Sequence, residues 1–348
     1  MVLNVDNQLF IFLPKLAAKP LGPIHGQFSF PTSGGTAGLF FATAVQRLNC
    51  LISFQIFRGE VYNGERLTKG GRDVVETKAS IIIEDFSALG QISLVAATTI
   101  LQAMGITTAL LPATVLSTQT EGFATPVALD TTNWQQATAQ HWAQLQLPFQ
   151  GALVGYLGSA QEVHTVRQII HDLAPNQLVV DPVMADQGCL YPGLPATYPA
   201  ALCDLCRDAT VLTPNWTELC LLTGQSISEP NLEDCLHMAK LLHQAGITGQ
   251  LVVTGIHQDG QIGSWLVHGD QLLFSGADYF PGHFYGTGDC FAALLYGYLT
   301  WGSGLHTAVD QATQALAVAV KETAAVPMGE RLLGMQLKEL VTYLTREK

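Results

Sequence analysis

The chain has 348 residues, of which 48% are hydrophobic and 13% charged, and its formal charge is -12 with only 16 lysines and arginines. This balance excludes general disorder and argues against a nucleic-acid partner, because phosphate backbones are held by clustered Lys and Arg, and here the basic residues are scattered. No apolar run reaches the roughly 18 residues that span a bilayer, so the expectation is a cytoplasmic protein with a sizeable core and a small-molecule partner.

Residues 1–74 stand apart from the rest. They carry LPKLAAKPLGPIHG and FPTSGGTAG, rich in Pro and Gly, with no period of 2 or 3.6. Lys69-Gly70-Gly71 can be encoded as a ribosome-binding sequence, with Val74 or Val75 just beyond as a GTG start. Residues 1–74 are therefore read as a non-matching N-terminal extension: either leader translated from a misplaced start or a natural, poorly structured segment. Residues 75–348 are read as one domain.

From residue 79 the pattern becomes regular. SIIIE, TTALLP, GALVG and QLVVD read as strands, and SLVAATTILQAMG, NWQQATAQHWAQLQL and EVHTVRQIIHDL, lying between them, read as helices. This rhythm means βαβ units and a mostly parallel sheet covered on both faces, a three-layer α/β/α fold. Gly105 after Met104 predicts a helix C-cap. The chain continues with a strand in ATVLTPN, a helix over 231–244, a strand in QLVVTG, a hairpin in GSWLVHGDQLLFS and three helical stretches from 288 to 346. Seven cysteines spread along the chain suggest reduced thiols. Cys203 and Cys206 in CDLC have metal-ligand spacing, but no second such pair exists to complete a tetrahedral zinc site; half-buried helix positions are the expectation.

In an open parallel sheet, ligands bind beyond the carboxyl ends of the strands, so polar residues following apolar runs mark the candidate site. In VVDPVMADQGCLY, Asp181 ends a strand and Asp186 follows, two carboxylates able to meet a cation. In VLTPNWTELCLLTG, Thr213 ends a strand, while Asn215 and Glu218 have the spacing of a capping box. LVVTG ends in Thr254 and Gly255, suited to phosphate contact. In GHFYGTGDCFAALLYGY, Gly286 and Gly288 leave amides uncovered at the start of a helix anchored by Phe291, Ala292 and Leu294, a ready anion site. Asp289 there either caps the helix or, in a closed site, accepts a proton from an attacking hydroxyl. The P-loop, GxSxG and HExxH templates are missing.

GTGD before a C-terminal helix, DPVMAD followed by LY, and TPNWTEL together resemble the vitamin-kinase branch of the ribokinase-like superfamily. EDFSALGQISL and LPATVLSTQTEGF, within 84–123, look like the corresponding segments of bacterial pyridoxal (pyridoxine, pyridoxamine) kinases. The resemblance covers 79–348. It implies ATP-dependent phosphorylation of the 5′-hydroxymethyl group of vitamin B6, with Mg²⁺, a monovalent cation such as K⁺, and a homodimeric assembly. Asp289 would be the catalytic base, and Gly286, Thr287 and Gly288 the anion hole. Ser87, Thr120 and Tyr156 match substrate-contacting positions. Asp181, Asp186 and Glu218 would organise the cations around the ATP phosphates, with Thr213 nearby; Asn215 and Thr254 match nucleotide-side positions. Glu84, Gln91 and Ala185 depart from the family pattern, and Glu121 adds a carboxylate that would favour an amine-bearing vitamer. The rival readings are a hydroxymethylpyrimidine kinase, a group that usually has Cys at the position of Asp289, and a non-catalytic protein that holds pyridoxal phosphate or nucleotide.

Overall fold

The computed structural model describes residues 78–346, and outside that range only the backbone of the short strands Val2–Val5, Gln8–Ile11, Thr68–Lys69 and Arg72–Asp73. The chain divides into two compact units, Met1–Leu67 and Thr68–Lys348. In the first, Val2–Val5 and Gln8–Ile11 pair antiparallel; the rest of the extension read over 1–74 lies largely outside the described residues. Every element below belongs to the second unit.

In chain order this unit runs β1 (Ala79–Ile83), β2 (Phe86–Ser87), α1 (Ser93–Ala103), β3 (Thr108–Leu110), β4 (Thr114–Leu116), β5 (Ala128–Asp130), α2 (Thr132–Leu145) and β6 (Phe149–Val154). It continues with α3 (Ala160–Leu173), β7 (Leu178–Val180), β8 (Ala185–Asp186), β9 (Cys189–Leu190), α4 (Tyr198–Cys206), β10 (Val211–Leu212), α5 (Trp216–Thr223) and α6 (Leu232–Gln244). The last elements are β11 (Gln250–Gln258), β12 (Gln261–His268), β13 (Gln271–Asp278), α7 (Thr287–Thr300), α8 (Leu305–Ala324), α9 (Met328–Arg331) and α10 (Lys338–Leu344).

Eight strands form the central sheet in the order β13-β12-β11-β10-β7-β6-β1-β3. The six from β3 to β11 are mutually parallel, and the β11-β12-β13 meander adds an antiparallel edge. Alternation along each strand decides which layer a side chain joins. Ile81, Ile83, Ala152, Val154 and Val180 pack with helices α2 to α6; Ile82, Leu153 and Val179 pack with α1, α7, α8 and α10. Each fully buried Ile or Val contributes about 1.5–3 kcal/mol, which explains why strands covered on both faces read as unbroken apolar runs. The architecture is the expected three-layer α/β/α sandwich. A second, small sheet, β2-β4-β5, stands beyond the carboxyl end of β1.

Local signals behave as their chemistry requires. Gly105, at φ +71°, follows the end of α1 in the left-handed conformation. Asn215 and Glu218 form a complete capping box at the start of α5. Cys203 and Cys206 lie on α4, half-buried and buried, as free thiols, and among the described residues no cluster of three or more His, Cys, Asp or Glu side chains is arranged to hold a metal ion. No helix among the described residues is long and apolar enough to cross a membrane.

Candidate active site

The chain leaves β1 for β3 on one side and returns to β6 on the other, so the sheet order reverses between β1 and β6. At such a switch point the loops diverge and a crevice opens beyond the carboxyl ends of the strands. A cavity of about 460 Å³ lies there. Thr120, Glu121 and Tyr156 line it together with Gly286, Thr287, Gly288 and Asp289. Asp181, Asp186, Asn215, Glu218 and Thr254 line it as well. Residues from 120 to 289 are thus gathered into one cavity.

Two residues expected there do not line it. Ser87 is 1% exposed, and its hydroxyl donates to Asp85 at 2.9 Å. Thr213, 2% exposed, is likewise enclosed beyond β10. Ser87 ends the two-residue strand β2 and Thr213 follows the two-residue strand β10, and both are buried there, a depth that residue type alone does not reveal.

Asp289 is the third residue of α7, whose N-cap is Gly286 at φ +84°. Its carboxylate does not cap that helix. Instead Oδ2 accepts the backbone amide of Ser93 at 2.8 Å and the Ser93 hydroxyl at 3.4 Å, across the cavity at the start of α1. Burial raises its pKa from 3.8 to about 6, with Asp85 adding repulsion and the two Ser93 bonds opposing. The group therefore ionises near neutrality, in the range a general base needs.

Around it stands an unusual concentration of carboxyl groups. Asp181 is pushed up by burial and then by the charge of Asp289, and its Oδ2 lies 3.6 Å from where a Cβ on Gly288 would sit. Glu218 is spent on backbone amides: Oε1 accepts from Met184 at 3.0 Å and Ala185 at 3.4 Å, and Oε2 from Asn215 at 2.9 Å. Burial raises it strongly, then Asp181. Glu84 is 1% exposed, and its Oε2 has no hydrogen-bond partner. Burial first, then Asp289, Asp85 and Asp181 drive its pKa up, which favours the protonated carboxyl. No lysine or arginine lines the cavity among the described residues.

Sequence reasoning missed two members of this group. Asp85 follows the apolar run of β1 and carries the same strand-end signature as Asp181. Ser93 had no such signal, because its contribution is chiefly a backbone amide.

Residues 98–333 match the model of the phosphomethylpyrimidine kinase family. The structure of pyridoxal kinase from Lactobacillus plantarum is 35% identical, covers 78% of this chain and 97% of its own, and superposes with a TM-score of 0.73. A pyridoxine/pyridoxal/pyridoxamine kinase of Bordetella avium is 33% identical over 196 residues, which span 52% of this chain and 63% of the relative. A hydroxymethylpyrimidine/phosphomethylpyrimidine kinase of Bacillus subtilis is 30% identical over 191 residues, spanning 50% of this chain and 65% of the relative. The chain thus matches under two thirds of the length of either curated relative. The family match takes in α7 with its glycine loop, Asp181 and Asp186, and the capping box of α5: the chain belongs to the phosphomethylpyrimidine kinase family, within the ribokinase-like superfamily.

Proposed function

We propose that this protein phosphorylates the 5′-hydroxymethyl group of vitamin B6 at the expense of ATP. The observation that carries the reading is Asp289: it sits at the start of α7 with its carboxylate turned away from the helix end and held by Ser93. There it takes the proton of the substrate hydroxyl as that oxygen attacks the γ-phosphorus; the bond from that phosphorus to the bridging oxygen breaks, and ADP leaves. Gly286, Thr287 and Gly288 offer the amides of a helix N-terminus to the charge that develops on the transferred group. Thr120 and Tyr156 contact the vitamin. Asn215 and Thr254 contact the nucleotide, and Ser87 and Thr213, buried outside the lining, support the site from behind it.

With no lysine or arginine in the cavity lining among the described residues, triphosphate charge has to be met chiefly by those amides and by cations. Carboxylates suit Mg²⁺, which binds through one or two of them plus substrate phosphates. Asp181 and Asp186 would hold it, and it would neutralise phosphate charge. Glu218, engaged by three amides, would act by shaping the Met184–Asp186 loop. A homodimer follows from the same reading: Phe86 and Leu129 on the small sheet, and Leu89 nearby, are 37%, 62% and 47% exposed, an apolar surface that a second copy would cover. Light scattering reads that state.

A coupled ADP-release assay on pyridoxal, pyridoxine, pyridoxamine and hydroxymethylpyrimidine tests the activity. Turnover of a B6 vitamer is expected. Turnover of hydroxymethylpyrimidine alone would replace this reading with the thiamine-precursor kinase that the family's description favours. Binding without turnover would leave a non-catalytic binding protein.

A further inference from the structure

The segment between α8 and α10 touches three of the segments that border the site. Gln91 donates its amide to Leu333 O at 2.6 Å and pairs with Gly334 as a parallel bridge, two residues before Ser93. Gln119, next to Thr120, donates its side-chain amide to Leu332 O. The backbones meet so closely that a Cβ on Gly334 would lie 2.2 Å from Gln91 O, and one on Gly90 2.6 Å from Leu333 O; both glycines have positive φ.

The third segment is the glycine loop, and there the contact is Arg331. Its Nη2 donates to Ala324 O at 2.9 Å and its Nε to Val326 O at 3.3 Å, beyond the negative end of α8. So anchored, the guanidinium lies 4.7 Å over the ring of Phe284. Its Nη1 is enclosed, makes no hydrogen bond, and sits 2.8 Å from where a Cβ on Gly282 would be. The carbonyl of Phe284 accepts the hydroxyl of Thr287 at 3.2 Å. A chain of contacts therefore runs from Arg331 through Phe284 to the first residue of α7.

We infer that Arg331 is a positioning residue for phosphoryl transfer: by clamping Phe284 and Gly282 it holds the 282–288 loop in the shape that presents its amides to the transferred group. This rests on the proposed kinase activity. A cap that merely closes α8 would stabilise the fold and leave turnover of the folded enzyme alone. A positioning clamp acts on kcat, because amides displaced from their targets lose transition-state contacts more than ground-state binding.

The test compares wild type, Arg331→Lys, Arg331→Met and Phe284→Leu in the full chain, by steady-state kinetics with pyridoxal and ATP, thermal melts, and hydrogen–deuterium exchange of amides 282–288. Expected for Arg331→Met and Phe284→Leu is a fall in kcat of about tenfold with little change in the KM of pyridoxal, and partial recovery in Arg331→Lys. Exchange of the 282–288 amides accelerates in Arg331→Met. Folded variants with kcat within about twofold of wild type, or with unchanged exchange in that loop, would overturn the inference. If wild type itself turns over no vitamer, the functional proposal fails, and the exchange measurement still decides whether Arg331 holds the loop.

Discussion

The carboxylate of Asp289 accepts a hydrogen bond from the backbone amide of Ser93 at 2.8 Å, joining the starts of two helices that are 196 residues apart in sequence. This contact distinguishes the two roles open to an aspartate in the first turn of a helix. A capping carboxylate would turn back to the amides of its own helix. Here the side chain reaches across the crevice, and the helix keeps its free amides for an anion.

The first prediction is on Asp289 itself. Asp289→Ala is expected to lower kcat by about 10²- to 10⁴-fold, the range general-base catalysis supplies, while nucleotide binding persists. Because burial raises its pKa to about 6, wild-type kcat/KM should increase with pH through that value and level off above it. Initial-rate profiles from mildly acidic to neutral pH check this. A flat profile across that range would remove Asp289 from the role of base.

Ser93 lies in the left-handed region at φ +46°, strained for a residue with a Cβ. Both of its bonds favour ionised Asp289. Ser93→Ala deletes the 3.4 Å hydroxyl bond and keeps the amide, so the acid limb of the kcat/KM profile should move to higher pH. Ser93→Gly removes the same bond but relieves the backbone, and is expected to shift the limb equally while raising the melting temperature above that of Ser93→Ala. The pair of profiles and melts separates the proton-tuning role from the conformational one.

How far the sequence revealed this site follows from the size of each signal. The strand ends at Asp181 and Thr213 were legible, because apolar β-branched runs stop abruptly at a polar residue, and the fold class came from their alternation with helices; β11 instead runs on past Thr254, through a register shift, to Gln258. The capping box at Asn215 and Glu218 was legible as a local spacing. The small sheet was not: strands of two or three residues such as Phe86–Ser87 and Thr114–Leu116 are too short to show a period. Nor was the close approach of Gly334 to Gln91, which is decided by tertiary packing. Ser87 and Thr213 are buried and do not line the cavity, which a motif match does not reveal, because it gives position along the chain and not side-chain direction.

The cluster of carboxyl groups predicts an unusual response of stability to pH. Glu84, Asp181, Glu218 and Asp289 all have folded-state pKa values raised above their unfolded values, chiefly by burial. The folded state therefore binds more protons than the unfolded state over that interval, and stability declines as pH increases through it. The contribution is fully present below the ordinary carboxylate range and is lost as each group ionises in the folded protein. Glu84, 1% exposed and with one oxygen unpartnered, contributes to this most directly. Glu84→Gln keeps the shape and removes the ionisation, so its melting temperature should exceed that of wild type at about pH 8.5 and match it near about pH 5. An equal fall at both values would mean that Glu84 is held as an anion.

The last prediction is on substrate choice. Glu121 lines the cavity beside Thr120, half-buried; burial raises its pKa, His283 opposes the rise and Asp186 adds to it. Without a lysine or arginine in the lining among the described residues, the protonated amine of pyridoxamine would bring this carboxylate a full positive charge, whereas pyridoxal has an uncharged aldehyde at that position. Glu121→Gln keeps the size and polarity of the side chain and deletes its charge. The ratio of kcat/KM for pyridoxamine to that for pyridoxal is expected to fall by about three- to tenfold in the variant, the range of a partly screened charge pair. The change should come from pyridoxamine, with the pyridoxal value nearly constant. Parallel kinetics on both vitamers decide it: an unchanged ratio would show that Glu121 serves the loop that carries Thr120 and does not select the vitamer.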